Sequence, residues 1–206
     1  MENNLILFNG PTSPFGRKTK IVSLIHEIKI SEKIINVYEA DYLDKKNPLR
    51  KIPTLIVDNL SIIDSDNICL YFDSITKKET LFPKNKYWQI MSFTSVANGL
   101  MESILERFME ISRPDGEKST IFIEKLETRA LRTINWLEIN LKHFNDSELT
   151  MDKIAIACAL DYTMFRFTNK WRSQNFELSN WFDNFKEKEF MKSTLPTIAN
   201  TSSKKI

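Results

Sequence analysis

The sequence predicts a small α/β domain followed by an all-α domain, and three observations lead to this fold class. Up to Ile75, short apolar runs typical of buried strands alternate with segments of helical periodicity. From Pro83 onward, apolar residues recur at steps of three and four, which is the spacing of amphipathic helices. The polar stretch Thr76 to Asn85 lies between the two patterns and predicts a linker.

The first part of the chain has the pattern of a strand, a helix and a second strand. Leu5 to Phe8 is a short apolar run that ends before a Gly-Pro pair, which predicts a buried strand followed by a loop. Ser13 then stands directly before Pro14, as an N-cap residue does before a proline in the first helical position. After this helix, Ile34 to Tyr38 predicts the second strand.

A proline, a hairpin and a helix start follow. Pro53 lacks an N–H group, so it cannot lie within a central ladder and marks the entry to the apolar strand Thr54 to Val57. A turn then leads into a short returning strand, Ser61 to Ile63. Asp64 and Ser65 have the chemistry of a helix cap before the next apolar run. The order βαβ and then ββα is typical of a thioredoxin-like domain.

These residues also have the chemistry of a binding edge. A strand-entry proline leaves the backbone groups of Ile52 outside the ladder, where an extended peptide can pair with them. The helix start at Ser65 offers N–H groups to a carboxylate, and Asp64 offers an acceptor to an ammonium group. Two interpretations of the Asp64-Ser65 pair stay open: a simple helix cap, and a contact to the amino-acid end of a peptide-like ligand.

The second half of the chain predicts a bundle of amphipathic helices. One helical pattern begins at Trp88 and is ended by Pro114, and a second follows from Ile121, so the two form an antiparallel hairpin. Thr150 to Leu160 predicts a buried helix with an incomplete capping box, because Lys153 occupies the position of the acid. We therefore expect the reciprocal hydrogen bond of a capping box to be absent there.

Composition disfavours several function classes. A net charge of +2 does not favour nucleic acid or an anionic membrane as a partner. No apolar run approaches the roughly 18 residues of a membrane span, and no signal-peptide pattern is present, so we expect a cytoplasmic protein. His26 and His143 have no second ligand at metal-binding spacing, so no metal site is expected. Cys69 and Cys158 are expected to be buried, reduced thiols.

Two segments of the sequence resemble the cytosolic glutathione transferase superfamily. The stretch NPLRKIPTL, followed by IIDS and ICLYFD, is similar to the family pattern NP-x-G-K-[VI]-P-x-L with its acid-serine pair. The stretch GPTSPFGRKTKIVSLIHEI is similar to the opening of bacterial serine-type members, which carry T-S-P-[FY]-x-R-K. The resemblance implies the glutathione transferase fold, with a thioredoxin-like domain over residues 1–78, a linker over 79–87 and an all-α domain over 88–206.

The resemblance implies a glutathione site in the first domain. In this family the proline at Pro53 is cis, and the residue before it, here Ile52, pairs with the cysteinyl backbone of glutathione. The acid-serine pair, here Asp64 and Ser65, holds the γ-glutamyl end. Lys51 is expected near the glycyl carboxylate.

The resemblance also implies which residue acts on the thiol. Ser13 stands at the serine of the serine-type motif and is expected to donate its hydroxyl hydrogen to the glutathione sulfur, with Thr12 as the fallback. A role of Ser13 as a helix cap alone stays open. Arg17 and Lys18 either add positive potential or form a solvated helix face. Arg50 departs from the family pattern, which usually has a small residue or glycine at this position.

The implied function is that of a glutathione S-transferase acting in detoxification, which transfers the glutathione thiolate to a small hydrophobic electrophile without a further cofactor. Peroxidase and isomerase activities stay open. Four residues are expected in the walls of the electrophile site: Met101, Leu105, Phe108 and Tyr162. A homodimer is expected, with Glu102 close to the glutathione of the second subunit. The alternative is a non-catalytic protein-interaction module with the same fold.

Overall fold

The computed structural model describes residues 4–196, and the chain divides into two compact units. The first comprises the residues up to Thr80 together with the segment from Glu189, and the second runs from Leu81 to Lys188. The predicted order, an α/β part followed by an all-α part, is confirmed. The predicted domain boundaries stay a prediction, and their last part, residues 197–206, lies outside the described residues.

The first unit is built on a four-stranded mixed sheet with the strand order β2-β1-β3-β4. β2 runs parallel to β1, whereas β3 runs antiparallel to β1 and β4 runs antiparallel to β3. The strands are β1 (Leu5–Asn9), β2 (Ser31–Ile34), β3 (Thr54–Val57) and β4 (Leu60–Ile63). β3 is buried along its whole length, which explains its uninterrupted run of apolar and β-branched residues.

Seven α-helices accompany the sheet within the described residues. They are α1 (Pro14–Ile25), α2 (Ser65–Ile75), α3 (Tyr87–Ile111), α4 (Thr120–Ile139), α5 (Met151–Arg166), α6 (Phe176–Lys186) and α7 (Glu189–Lys192). In the first unit, α1 and α2 pack together and α7 packs against α1. The core of this unit contains fully buried side chains from the sheet and both long helices: Leu7, Leu55, Ile21, Ile68 and Phe72.

The predicted position of β2, Ile34 to Tyr38, is wrong: the strand begins three residues earlier and ends four residues earlier. Strand β2 pairs Ser31 with Ile6 and Ile34 with Asn9, so it ends where β1 ends. After it, the side chain of Asn36 accepts a hydrogen bond from the N–H of Tyr38 at 3.2 Å and starts a short 3₁₀ turn. An asparagine that bonds to the backbone two residues ahead favours a turn over an extended strand.

The second unit is a helical bundle around α5, in which every residue from Met151 to Leu160 is buried. The side chain of Thr150 makes no capping bond to the first N–H groups of α5. Instead, the hydroxyl of Thr150 donates to Asp152 Oδ1 at 2.5 Å. The buried ammonium of Lys153 donates to the backbone C=O of Asp146 at 2.9 Å and so ties the preceding loop to the helix.

Candidate functional site

Three chain segments that carry predicted site residues leave the sheet at the same edge. Phe8 of β1 pairs with Thr54 of β3, and Thr54 pairs with Ile63 of β4. Because β3 runs antiparallel to both neighbours, β1 ends, β3 begins and β4 ends at this edge. The segments carry Thr12 and Ser13, then Lys51, Ile52 and Pro53, and then Asp64 and Ser65.

The first two of these segments are in contact. A Cβ atom added to Gly10 would lie 2.6 Å from Cδ1 of Ile52 and 3.9 Å from Cβ of Ser13. The Ile52 side chain therefore packs against the loop that leads into α1. Glycine at position 10 leaves room for this close approach, because a Cβ there would force the end of the Ile52 side chain to shift.

Ser13 caps α1, as predicted. Its Oγ accepts a hydrogen bond from the N–H of Gly16 at 3.2 Å, and its backbone C=O accepts one from Arg17 at 2.9 Å. Since Oγ acts as an acceptor in the cap, its hydroxyl hydrogen is still available as a donor. The cap role and donation to a bound thiolate are therefore compatible. Thr12 is half-buried in the turn just before the cap.

The loop before β3 is held by Asn47, which the sequence analysis did not identify as a site residue. Its side chain is fully buried, and its amide nitrogen donates to the C=O of Lys51 at 2.9 Å and to Thr54 Oγ1 at 2.8 Å. Its Oδ1 accepts from the N–H of Leu49 at 3.0 Å. These bonds connect both ends of the loop. The Asn-Pro pair is the sequence signal that could have pointed to this role, because it marks a turn.

The same loop carries the bond between Ile52 and Pro53, which is cis, as the resemblance implies. The backbone N–H and C=O of Ile52 make no hydrogen bond with any described residue. Arg50 has a φ of 49°, which lies in the left-handed region that favours glycine. This explains the glycine of the family pattern. In this protein the side chain of Arg50 is held by Asp44: its Nε donates to Asp44 Oδ1 at 2.6 Å. This hydrogen bond lowers the pKa of Asp44.

Asp64 caps α2, so the cap interpretation is confirmed. Its Oδ1 accepts from the N–H groups of Asp66 at 2.8 Å and Asn67 at 3.3 Å. Its second carboxylate oxygen and the hydroxyl of Ser65 make no hydrogen bond with any described residue. Ser65 is buried and begins the helix. The cap thus leaves one acceptor and one hydroxyl for a ligand.

A buried ion pair that the sequence analysis missed joins α1 to α2. Lys18 is fully buried, and its ammonium group pairs with the carboxylate of Asp66 in the first turn of α2. Arg17 is also buried, and it donates to the C=O of Met191 at 3.0 Å and to Thr194 Oγ1 at 3.3 Å. Of the two alternatives for Arg17 and Lys18, the solvated helix face is therefore wrong. Sequence alone gave little signal, because such side chains are rarely buried at helix starts.

The predicted walls of the electrophile site lie on α3 and α5. Met101 is fully buried and Tyr162 is 4% exposed, whereas Leu105 and Phe108 are half-buried. Burial raises the pKa of the Tyr162 hydroxyl, and the nearby charge of Arg166 acts in the opposite direction. No sequence pattern pointed to Arg166, because its aromatic neighbours Phe108 and Phe165 lie on two different helices.

Residues 4–196 contain two cysteines and show neither a metal-binding cluster nor a membrane-spanning helix. Cys69 and Cys158 are buried and form no disulfide, as predicted. In this part of the chain, no group of three His, Cys, Asp or Glu side chains could hold a metal ion. Its helices are all too short or too polar to span a bilayer.

Residues 7–80 match the family model described as the glutathione S-transferase N-terminal domain. A glutathione S-transferase from Methylobacillus flagellatus, solved with glutathione bound, is similar with a TM-score of 0.89 and 25% identity, covering 94% of this chain and 100% of that one. A glutathione transferase family member from Pseudomonas fluorescens, also with bound glutathione, has a TM-score of 0.88 and 25% identity, covering 95% and 100%. The chain has the glutathione transferase fold.

A more distant glutathione transferase supports the same conclusion about the fold. The enzyme from Methylobacterium radiotolerans, in complex with glutathione sulfonate, is 16% identical and has a TM-score of 0.88, covering 98% of this chain and 100% of that one. The predicted glutathione transferase fold is therefore confirmed. The serine-type subclass and the roles of the individual residues stay predictions.

Proposed function

We propose that this protein is a glutathione S-transferase, which binds glutathione in its first unit and transfers the thiolate to a small hydrophobic electrophile. The observation that carries the proposal is the meeting of three segments at one sheet edge, within the part of the chain that matches the N-terminal domain of this family. Relatives with this fold have been solved with glutathione bound. The proposal includes no further cofactor.

In this proposal, glutathione lies extended along the loop before β3. Its cysteinyl backbone pairs with the unused N–H and C=O of Ile52 beside cis Pro53, as an added strand does. Its γ-glutamyl carboxylate accepts hydrogen bonds from the N–H and hydroxyl of Ser65 at the positive end of α2. The ammonium group donates to the unused carboxylate oxygen of Asp64. The exposed Lys51 pairs with the glycyl carboxylate.

Ser13 stabilises the thiolate by donating its hydroxyl hydrogen to the sulfur. A thiol with a pKa near 8.5 must fall by about 1.5 units to be mostly ionised at neutral pH, which takes about 2 kcal/mol. A hydrogen bond to a charged group supplies roughly 1.5–3 kcal/mol, and the start of a helix adds about 0.3–1 kcal/mol. One serine at the start of α1 is therefore sufficient, and no general base is needed.

The electrophile is held by the helical unit, where Met101, Leu105, Phe108 and Tyr162 form its surroundings. We propose a cytoplasmic homodimer acting in detoxification, with the exposed Glu102 near the second subunit's glutathione. Sedimentation analysis at micromolar concentration should give twice the chain mass of 24.2 kDa. A species of single-chain mass would contradict the dimer without bearing on glutathione binding.

The experiment that tests the proposal is calorimetric titration with glutathione, combined with the ultraviolet difference spectrum of the thiolate. We expect micromolar to millimolar binding by the wild type and loss of binding in Ser65→Ala. Ser74→Ala is the matched control, because Ser74 lies at the far end of the same helix and bonds to the C=O of Tyr71. Ser13→Ala should keep binding but lose the thiolate absorbance, whereas Thr12→Ala should keep both.

Two outcomes would contradict the proposal at different levels. Thiolate absorbance that persists in Ser13→Ala but disappears in Thr12→Ala would move the catalytic role to Thr12. No binding at several millimolar glutathione would refute the transferase function as a whole. Nothing in the described residues favours the protein-interaction module over the enzyme.

A further inference from the structure

A cluster of one arginine and three aromatic residues lies at the C-terminal ends of α3 and α5, within the second unit. The guanidinium carbon of Arg166 is 4.1 Å from the ring centre of Phe108 and 4.3 Å from that of Phe165. Tyr162 precedes Arg166 by one helical turn on α5 and shares its face. These four residues form the Arg166 cluster: Phe108, Phe165 and Arg166 are half-buried and reached by solvent, whereas Tyr162 is buried.

The positive charge of Arg166 is not compensated by any described residue. No Asp or Glu oxygen of residues 4–196 lies within the 4.0 Å of an ion pair with its nitrogens. Its Nε is buried and has no hydrogen-bond partner. Within the described residues, three other buried side-chain atoms lack a partner, and all belong to side chains that carry no fixed charge: His26 Nδ1, Thr94 Oγ1 and Trp171 Nε1.

Arg107 provides a comparison in the same region. Its guanidinium carbon lies 4.3 Å from the ring centre of Phe167, and its Nε donates to Glu127 Oε1 at 2.6 Å. Here the arginine has both an aromatic neighbour and a carboxylate. Arg166 has the aromatic neighbours but no carboxylate from the described protein.

We propose that the Arg166 cluster binds the carboxylate of a small, flat organic acid. A carboxylate matches the planar guanidinium with two parallel hydrogen bonds. The rings cover part of the guanidinium, and its Nε is buried, so the attraction between the charges is stronger than in bulk water. They also offer stacking surfaces to an aromatic or unsaturated carbon skeleton. A single uncompensated cation matches a monoanion, which favours a carboxylate over a phosphate dianion.

For the proposed transferase, this inference names the class of electrophile, and that step rests on the proposed function. Phe108 and Tyr162 belong both to the Arg166 cluster and to the proposed surroundings of the electrophile. The electrophile is then an acid, for which 4-chloro-3-nitrobenzoate is a suitable probe. The glutathione sulfur forms a bond to the ring carbon that carries chlorine, and the carbon–chlorine bond breaks. Chloride leaves with the electron pair, and the thiol proton passes to solvent.

Binding to the full-length protein in the absence of glutathione tests the site without any catalysis. We expect 4-chloro-3-nitrobenzoate to bind about 10- to 100-fold more tightly than the neutral 4-chloro-3-nitrobenzamide, as measured by calorimetry. In Arg166→Gln this preference should fall to about threefold or less. Arg166→Lys keeps the charge without the planar fork and should be intermediate. Arg132→Gln, on the exposed side of α4, is the matched control and should keep the full preference.

Equal binding of the acid and the amide by the wild type would overturn the inference, and this comparison needs no variant to fold. Arg166→Gln that weakens both probes equally would overturn it as well. Kinetics with glutathione separate this inference from the proposed function. Turnover of the amide without any preference for the acid would refute the inference alone. A preference for the acid in binding, together with no glutathione binding, would refute the transferase function alone.

Discussion

Replacing Asn47 by alanine removes the three hydrogen bonds that hold the loop before β3. Each bond contributes about 0.5–1.5 kcal/mol net. Leu49 and Lys51 are exposed, so water can replace the lost partner at their backbone groups. The hydroxyl of Thr54 keeps its own bond to the Lys51 C=O at 2.8 Å. We therefore expect Asn47→Ala to lower the free energy of unfolding by about 2–3 kcal/mol.

Asn47→Asp distinguishes this hydrogen-bonding role from simple packing. Aspartate has nearly the same shape and keeps the acceptor for the N–H of Leu49. It replaces the donor to the Lys51 C=O and Thr54 with a second acceptor and buries a charge, so it should destabilise at least as much as alanine. The exposed Asn59, in the turn between β3 and β4, provides the control, and Asn59→Ala should change stability by less than about 0.5 kcal/mol.

Urea unfolding followed by two probes measures the effect. Circular dichroism reports on both units, whereas tryptophan fluorescence reports on the second, because all four tryptophans lie between Leu81 and Lys188. A midpoint that moves in both signals means that the units unfold together. In glutathione titrations of the folded Asn47→Ala protein, affinity should fall about tenfold, because the loop carries Ile52. If Asn47→Asp has the same free energy of unfolding as the wild type, the proposed hydrogen-bonding role of the Asn47 amide group is refuted.

Two further predictions follow from burial and close packing. Gly16→Ala places a Cβ 1.5 Å from Asn9 Oδ1, so it should lower the free energy of unfolding, measured with urea, by about 1–3 kcal/mol. The Cβ of Gly99→Ala, in the middle of α3, meets no atom within 4 Å, so this variant should raise the free energy of unfolding by about 0.5–1 kcal/mol. The opposite order would contradict the packing described. Burial raises the pKa of Asp152 above its ordinary 3.8, so the folded protein holds this proton more tightly than the unfolded chain, and stability falls as pH rises through the raised pKa. Urea midpoints measured between about pH 3.5 and 6.5 should show this fall in the wild type but not in Asp152→Asn. If the midpoints of the two proteins change with pH in the same way, the raised pKa of Asp152 is contradicted.

The features that the sequence predicted are those determined by a few neighbouring residues. The start of α1 after Ser13 follows from an N-cap residue before a proline, and the limits of β3 follow from Pro53 and a turn after Val57. The start of α2 at Ser65 was predicted for the same reason, because Asp64 bonds to N–H groups two and three residues ahead. Local chemistry was sufficient in each case.

The features that the sequence did not predict depend on residues that are distant along the chain. The limits of β2 are determined by its register with β1, which the apolar content of Ile34 to Tyr38 does not reveal. Lys18 is buried because Asp66 lies beside it, although 48 residues separate the two. Arg166 likewise meets Phe108 across two helices. A pattern within a short window contains no information about such partners.

Arg17 acquires two of its hydrogen-bond partners only late in protein synthesis. The C=O of Met191 and the hydroxyl of Thr194 belong to the same unit as Arg17, yet the whole second unit is translated between them. At about 5–20 residues per second, the ribosome adds these partners on the order of ten seconds after Thr80. The part of the protein that carries the proposed glutathione site therefore begins the chain but is completed by nearly its last described residues.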